Sequence, residues 1–374
     1  MSDDFKEKLK AYTEGRLSNE EKFVMEEELH KLELYQEFLD EQLQDNESEQ
    51  AFSNEGTILN ADKIIRKGKW KARLQNGFIA LILLFIFLIL AQVITTSYYN
   101  SGNPSKNSIF NSVITSAIET TNPNPDVNGG GFSIGTFFSD NVHVSYSKKI
   151  GNQDFGNGQL SVNFVFSKPT NVTEVSPSSI RNGASFINPK YRHFSSITTL
   201  QDRGTPAWKK LEMLPEGTVT EAFVTFDKLY ETDEVFKKLE NKNLRLLWLA
   251  VDTGLDDAPP DIYNVIGFPH NTFQPSLEDR RNPAAPAGLD PYRDGVKRNE
   301  NFIKTLEFLN KYKAITKTIA PTTDIESALN YVNKNGVKIY GVTVTGPTKE
   351  LLKLKDESYV GDMNLGETEL WAWD

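Results

Sequence analysis

Cysteine is absent from all 374 residues, which excludes disulfides, cysteine-ligated zinc and thiol catalysis. Histidine is scarce: His30, His143, His193 and His270 are scattered and have no companion motif, so no imidazole-based catalytic or metal set is read from them. Charge is missing from one stretch, Gly77 to Ile94, which reads GFIALILLFIFLILAQVI. At about 1.5 Å per residue it spans roughly 27 Å, close to the ~30 Å hydrocarbon core of a bilayer. Fourteen of its positions are Leu, Ile, Phe or Val, enough to outweigh the roughly 3 kcal/mol cost of one central charge. No second long apolar run follows, so a single crossing is expected. The 76 residues that precede the run are not those of a cleaved signal peptide.

The flanks orient the span. Lys63, Arg66, Lys67, Lys69, Lys71 and Arg73 face one acid, Asp62, on the N-terminal side, whereas no charge follows the run until Lys106. The positive-inside rule places the N-terminus in the cytoplasm and the larger C-terminal part outside the cell. Trp70, Tyr98 and Tyr99 suit the two headgroup interfaces. The net charge of −10 is divided unevenly, because residues 1–60 carry 17 acids against 6 bases while residues 61–75 carry 6 bases against 1 acid. Direct binding of nucleic acid is not expected of so acidic a head. A basic protein surface suits it better, and the basic stalk suits anionic lipid of the bilayer.

Five parts follow: a helical head over 1–60, a juxtamembrane stalk over 61–75, a transmembrane helix over 76–98, a linker over 99–138 and an extracytoplasmic domain over 139–374. In the head, a first helix from about Asp4 to Glu14 stops at Gly15, and Ser18-Asn19-Glu20-Glu21 forms a capping box that opens the next. Phe23, Leu29, Leu32, Tyr35, Phe38, Leu39 and Leu43 then recur at helical intervals, as one long helix or two broken near Lys31. So few apolar groups make a poor core, and a partner is expected to complete the stripe. Residues 45–60 read as a polar link.

Beyond the span, Asn100 to Gly135 is rich in Asn, Ser, Thr, Gly and Pro and reads as a linker. Within it Ile109, Phe110, Val113, Ile114, Ala117 and Ile118 share one helical face, to pack on the domain or lie on the bilayer. Val142, Val144 and Tyr146 alternate with polar residues, as do Leu160, Val162, Phe164 and Phe166, predicting an antiparallel hairpin. Two helix-then-strand units, Asp233 to Val251 and Asp324 to Val344, suggest an α+β domain around a mixed sheet, with a duplication as its origin. The segment from Asp252 to Asp294, rich in Pro, Asp and Gly, is expected to be an irregular, ligand-facing rim.

Three fragments imitate active sites. Leu249-Ala250-Val251-Asp252-Thr253-Gly254 spells an aspartic-protease run, but the second unit reads Val344-Thr345-Gly346 where a second carboxylate is required, so Asp252 reads as a strand end. Asp154-Phe155-Gly156 lacks the phosphate loop of a kinase and reads as a hairpin turn. Asp252, Asp256, Asp257 and Asp261 lack calcium-loop spacing. Asn171-Val172-Thr173 is a formal sequon without weight outside a eukaryotic secretory route. No enzyme, metal or cofactor is expected.

Tyr12-x-Glu14-Gly15-x-Leu17-Ser18-x-Glu20-Glu21, the basic stalk, the lone span, Val219-x-Glu221-Ala222-Phe223-Val224-x-Phe226-Asp227 and Tyr340-Gly341-Val342-x-Val344-Thr345-Gly346-Pro347-Thr348 together resemble the sigma factor regulator family of transmembrane anti-sigma factors. The resemblance implies a head that sequesters an extracytoplasmic-function sigma factor and an outer domain that senses an envelope signal or binds a second small membrane protein. Where many anti-sigma heads have a His-x3-Cys-x2-Cys zinc site, this chain has His30, Leu34 and Glu37, and so resembles a zinc-free branch. The implied sigma contacts are Phe23, Leu29, Leu32, Tyr35, Phe38, Leu39 and Leu43, with Glu26, Glu27, Glu28 and Glu33 steering approach. Each apolar residue remains open to an internal contact in the head, and each acid to a merely solvated role. An anchored outer binding module with no sigma partner is the alternative reading.

Overall fold

A computed structural model describes residues 2–48, 56–124, 126–175, 186–190, 200–254, 265–270 and 292–371, with the side chains of 2–7, 40–48, 56–65 and 200–205 outside the description. The chain divides into two compact units, Met1–Phe85 and Ile86–Asp374.

In the first unit, α1 (Ser2–Thr13) ends where Gly15 takes a left-handed φ of 67°. The Gly15 N–H then donates to Tyr12 O and the Arg16 N–H to Ala11 O. These are the two bonds of a Schellman stop, which glycine forms without the penalty a Cβ carries. Helix α2 (Asn19–Ser48) opens on the expected box. The Glu21 N–H donates to Ser18 Oγ at 3.3 Å, while Ser18 N–H and Oγ–H return to Glu21 Oε2 at 3.0 and 2.7 Å. These bonds hold the Glu21 carboxyl below the usual carboxylate range. Helix α2 runs through Lys31 without a break. Helix α3 (Gly56–Asn100) then runs through the expected stalk and the expected span as one element. Its stretch from Arg66 to Asn100 is long and apolar enough to cross a membrane.

The second unit starts within α3, whose Thr95 and Tyr99 are buried. After it, α4 (Lys106–Thr121) is capped by Ser105, whose hydroxyl accepts the Ser108 N–H. Strands β1 (Asp126–Ile134), β2 (Ser139–Ile150), β3 (Gln153–Val165) and β4 (Lys168–Val175) form an antiparallel meander. Its register sets Val142 opposite Val162 and Val144 opposite Leu160. The period-2 pattern expected from the sequence thus turns one apolar row toward α4, where the Phe110 and Phe164 rings stack at 4.3 Å.

Next come α5 (Leu200–Met213), β5 (Thr218–Tyr230), α6 (Thr232–Leu239), β6 (Arg245–Val251), β7 (Gly267–Pro269), α7 (Gly295–Lys311), α8 (Lys313–Ile319), α9 (Ile325–Asn335), β8 (Ile339–Pro347), α10 (Thr348–Leu352) and β9 (Val360–Leu370). The second sheet has the order β7-β6-β8-β5-β9.

Two expectations are corrected. The second sheet is antiparallel at every pairing, not mixed, because β8 enters between β5 and β6 and opposes both. Its inner strands β6, β8 and β5 are largely buried on both faces, one in the main core and one around Phe186, Trp248 and Tyr340. That burial produces the continuous apolar runs usually associated with parallel sheets. The supposed linker is instead part of the domain: Phe110, Val113, Ile114, Ala117 and Ile118 of α4 belong to the same core as both sheets. Of the two placements open for that helix, the structure takes packing on the domain.

The Asp154-Phe155-Gly156 triplet lies inside β3, paired with Lys148 and Lys149, and the turn falls at Gly151, φ 61°. Most of the expected rim, at 255–264 and 271–291, lies outside the described residues.

Candidate functional site

The head buries very little. Among the described side chains of α2, Met25 is the buried apolar one, and Tyr12 Oη of α1 donates to Glu26 Oε1 at 3.2 Å across the hairpin. Phe23 is 69% exposed, Tyr35 61%, Phe38 53%, Leu32 48% and Leu39 41%. Leu29 is half-buried, and the side chain of Leu43 lies outside the description. Phe23, Leu32, Tyr35, Phe38 and Leu39 are thus exposed within the described head.

At about 100° per residue, Met25, Leu29, Leu32 and Leu39 share one face of α2. Phe23 and Phe38 fall on another, together with Leu34, which the sequence reading passed over; Val24 and Tyr35 lie between the two faces. Val24 and Leu34 are exposed as well, so the single expected stripe is a broad apolar arc. The opposite arc carries Glu26, Glu33 and Glu37. Stepping round the helical wheel, rather than counting intervals of three and four, would have recovered Val24 and Leu34.

The acids differ in their availability. Glu27 Oε1 accepts from Lys31 Nζ at 2.6 Å, which holds its carboxyl below the usual range and engages it within the helix. Glu26 accepts from Tyr12, and all four acids, Glu26, Glu27, Glu28 and Glu33, are exposed. His30 Nδ1 lies 3.8 Å from Glu33 Oε2. Leu34, at the position of a zinc thiolate in metal-bearing heads, is exposed to solvent.

The C-terminal unit buries charge instead. Lys148 of β2 and Glu221 of β5 are both buried, with Nζ 3.2 Å from Oε2. Asn124 Nδ2 donates to Glu221 Oε1 at 2.7 Å, and the Glu367 N–H approaches Oε2 at 3.4 Å. Burial pushes the Glu221 carboxyl up, and Lys148 and Asn124 oppose that shift. A Cβ at Gly366 would lie 2.1 Å from Glu221 Oε2, so β9 closes over the pair only with glycine there.

Asp252, the protease look-alike, is buried at the end of β6. Its oxygens accept from Asn188 Nδ2 at 2.9 Å and Tyr331 Oη at 2.7 Å. The Tyr331 ring lies where a Cβ on Gly254 would clash at 2.3 Å. This arrangement ties a strand end to α9, and the partners of Asp252 among the described residues are amide, phenol and ammonium groups.

The family model described as sigma factor regulator N-terminal matches residues 62–155, and that described as sigma factor regulator C-terminal matches 211–367. The probable anti-sigma-M factor YhdL of Bacillus subtilis (strain 168) is 30% identical over 383 residues, covering 100% of both chains. No solved structure matches. The helical head lies before the first matched segment but within the full-length match. The two matched segments meet in one core, since Asn124 and Lys148 come from the first and Glu221 and Glu367 from the second. With both segments and a full-length relative in agreement, the chain belongs to the sigma factor regulator family.

Proposed function

We propose that this chain is a membrane-anchored anti-sigma factor. Its N-terminal hairpin captures an extracytoplasmic-function sigma factor on the cytoplasmic side of the span, and its C-terminal unit, outside the cell, governs that capture. The observation that carries the reading is the inverted head: a helix with Phe23, Leu32, Tyr35, Phe38 and Leu39 exposed and, among its described side chains, Met25 as the buried apolar one. Such a helix buries its apolar surface by laying it in a partner's groove. Glu28 and Glu33 are the acids freest to steer a basic partner, with Glu26 and Glu27 contributing after exchange of their internal bonds.

The relative's name as a probable anti-sigma-M factor and the basic residues before the span support the same arrangement. Tethering also holds the captured factor away from the nucleoid. Burial of Thr95 and Tyr99 joins the last turns of the span to the C-terminal unit, so a rearrangement there has a rigid element through which to act. No chemical step is assigned to the chain; regulation is by binding.

The test is co-purification of the full-length protein with sigma factors from source-cell extract, beside Leu32→Asp and Phe38→Asp. The native chain is expected to retain a sigma factor and both variants to lose it. Retention by both variants would refute this surface, and no sigma factor with the native chain would refute the function.

A further inference from the structure

Two tight turns close the end of the first sheet at which α3 arrives. Both have backbone conformations that call for asparagine or glycine, and both carry phenylalanine instead. Phe137 and Phe138, between β1 and β2, have φ of 53° and 59°, and Phe166 and Ser167, between β3 and β4, have 47° and 64°. Two consecutive left-handed residues make the primed hairpin turn whose usual occupants are Asn-Gly. A side chain with a Cβ in that region costs roughly 1–2 kcal/mol, and bulky residues are retained there when the surroundings use them.

The surroundings in the described structure explain only part of that use. Phe138 is held: its N–H donates to Thr95 Oγ1 at 3.0 Å, its carbonyl accepts from Tyr99 Oη at 2.6 Å, and its ring stacks on Phe166 at 4.4 Å. Phe137 and Phe166 are nevertheless half exposed, as is Phe132. From Phe132 to Ser139 and from Phe164 to Ser167 there is no charged residue.

The position of these rings identifies their solvent. The Phe137 ring lies 6.1 Å from that of Phe87, which is seven residues inside the C-terminal end of the uncharged run at Ile94. That is about 10 Å along the helix, so a turn reaching Phe87 has passed the level at which the run ends. The cations stand behind the turns. Lys106 lies 3.9 Å over the Tyr98 ring and donates to Tyr98 O, and Lys168 follows the second turn. Tyrosine and lysine just behind an apolar tip match the headgroup layer.

We infer that the two phenylalanine turns are seated in the bilayer, in the leaflet on the C-terminal side of the span, so that the C-terminal unit is docked on lipid as well as tethered by the span. The inference rests on the membrane reading and adds a second, independent lipid contact. The partner it fits is the acyl region of a phospholipid leaflet. A protein partner over the same rings is the outcome the experiment must separate.

The native absence of cysteine makes the test direct. Single cysteines are placed in the full-length chain at Thr136 and Phe166 in the turns, at Leu90 in the span, and at Asn152, at the far end of the roughly 40 Å strand β2. Each is labelled with a small fluorophore, reconstituted into vesicles of phosphatidylcholine and phosphatidylglycerol, and quenched with brominated lipid. Thr136→Cys keeps every phenylalanine, so the test stands if Phe166→Cys fails to fold. The turn labels are expected to be quenched to at least half the extent seen at Leu90, with little quenching at Asn152. Quenching at Leu90 with turn labels no more quenched than Asn152 would overturn the docking while the span stands, and would leave the rings for a protein partner. An unquenched Leu90 label would instead remove the membrane reading and the docking with it.

Discussion

The head and the C-terminal unit are built in opposite senses. Among its described side chains the head leaves phenylalanine, tyrosine and leucine in solvent and buries Met25. The C-terminal unit buries Lys148, Glu221, Asp252 and Asp140 among its apolar side chains. A two-helix hairpin has too little interior to cover its own apolar surface, so that surface stays exposed in the described head. The larger unit has interior enough to satisfy most of its buried polar groups from within, which is why two separately matched sequence segments fold as one body. Exposed grease in a small helical element and satisfied charge in a large one follow from the same limit, the volume of interior each element can close around its side chains.

The largest expected effect is at the buried ion pair. Glu221→Ala leaves the Lys148 ammonium without its partner and should cost about 3–5 kcal/mol, whereas Lys148→Met with Glu221→Leu should recover most of that loss. Thermal unfolding of the full chain in detergent measures both, and a single variant as stable as the native chain would contradict a self-sufficient interior. In the head, Leu32→Asp should weaken sigma binding by about 2 kcal/mol or more, roughly thirtyfold. Circular dichroism should show unchanged helix content. Loss of helix together with binding would mean that Leu32 supports the hairpin and not a partner.

Asp140 blurs the contrast, because it is buried in β2 and neither of its carboxylate oxygens makes a hydrogen bond of normal geometry among the described residues. Burial pushes its carboxyl up from 3.8 to about 6, opposed in part by the nearby Asn141 N–H. The folded state therefore holds the proton more tightly than the unfolded chain, so this group's contribution to stability falls as pH rises from about 4 through 6 and stays unfavourable above that. Asp140→Asn should stabilise the protein by about 1–3 kcal/mol at pH 7.5, with the gain shrinking at pH 4.5. An equal gain at both values would remove ionisation as its cause. The smallest effect is at the head's own turn, where Gly15→Ala puts a Cβ at φ 67° and should cost roughly 1 kcal/mol of hairpin stability. A melting profile of α1 indistinguishable from native would show that the Schellman stop is dispensable.

The local signals were legible where they were chemically specific. Gly15, the Ser18 to Glu21 box and the alternation across β2 and β3 each define their own geometry within a few residues. The linker reading failed because Asn, Ser, Thr, Gly and Pro do surround α4, and composition does not register that a short helix in such a stretch will be enclosed by elements more than a hundred residues later. Trp248 Nε1 donating to Glu119 O at 2.8 Å is one such contact. The pairing of Lys148 with Glu221 has no sequence signature either, since the two lie on strands 73 residues apart.

By itself the sequence determined the lone apolar run, the charge asymmetry around it, the absence of thiol chemistry and the punctuation of the head, because each depends on composition or on neighbours within one helical turn. Only the tertiary structure decided that β8 would enter between β5 and β6, that α4 would lie in the core and that phenylalanine turns would come back to Phe87. Those outcomes depend on which distant surfaces exclude water from one another, and that is a property of the folded chain as a whole.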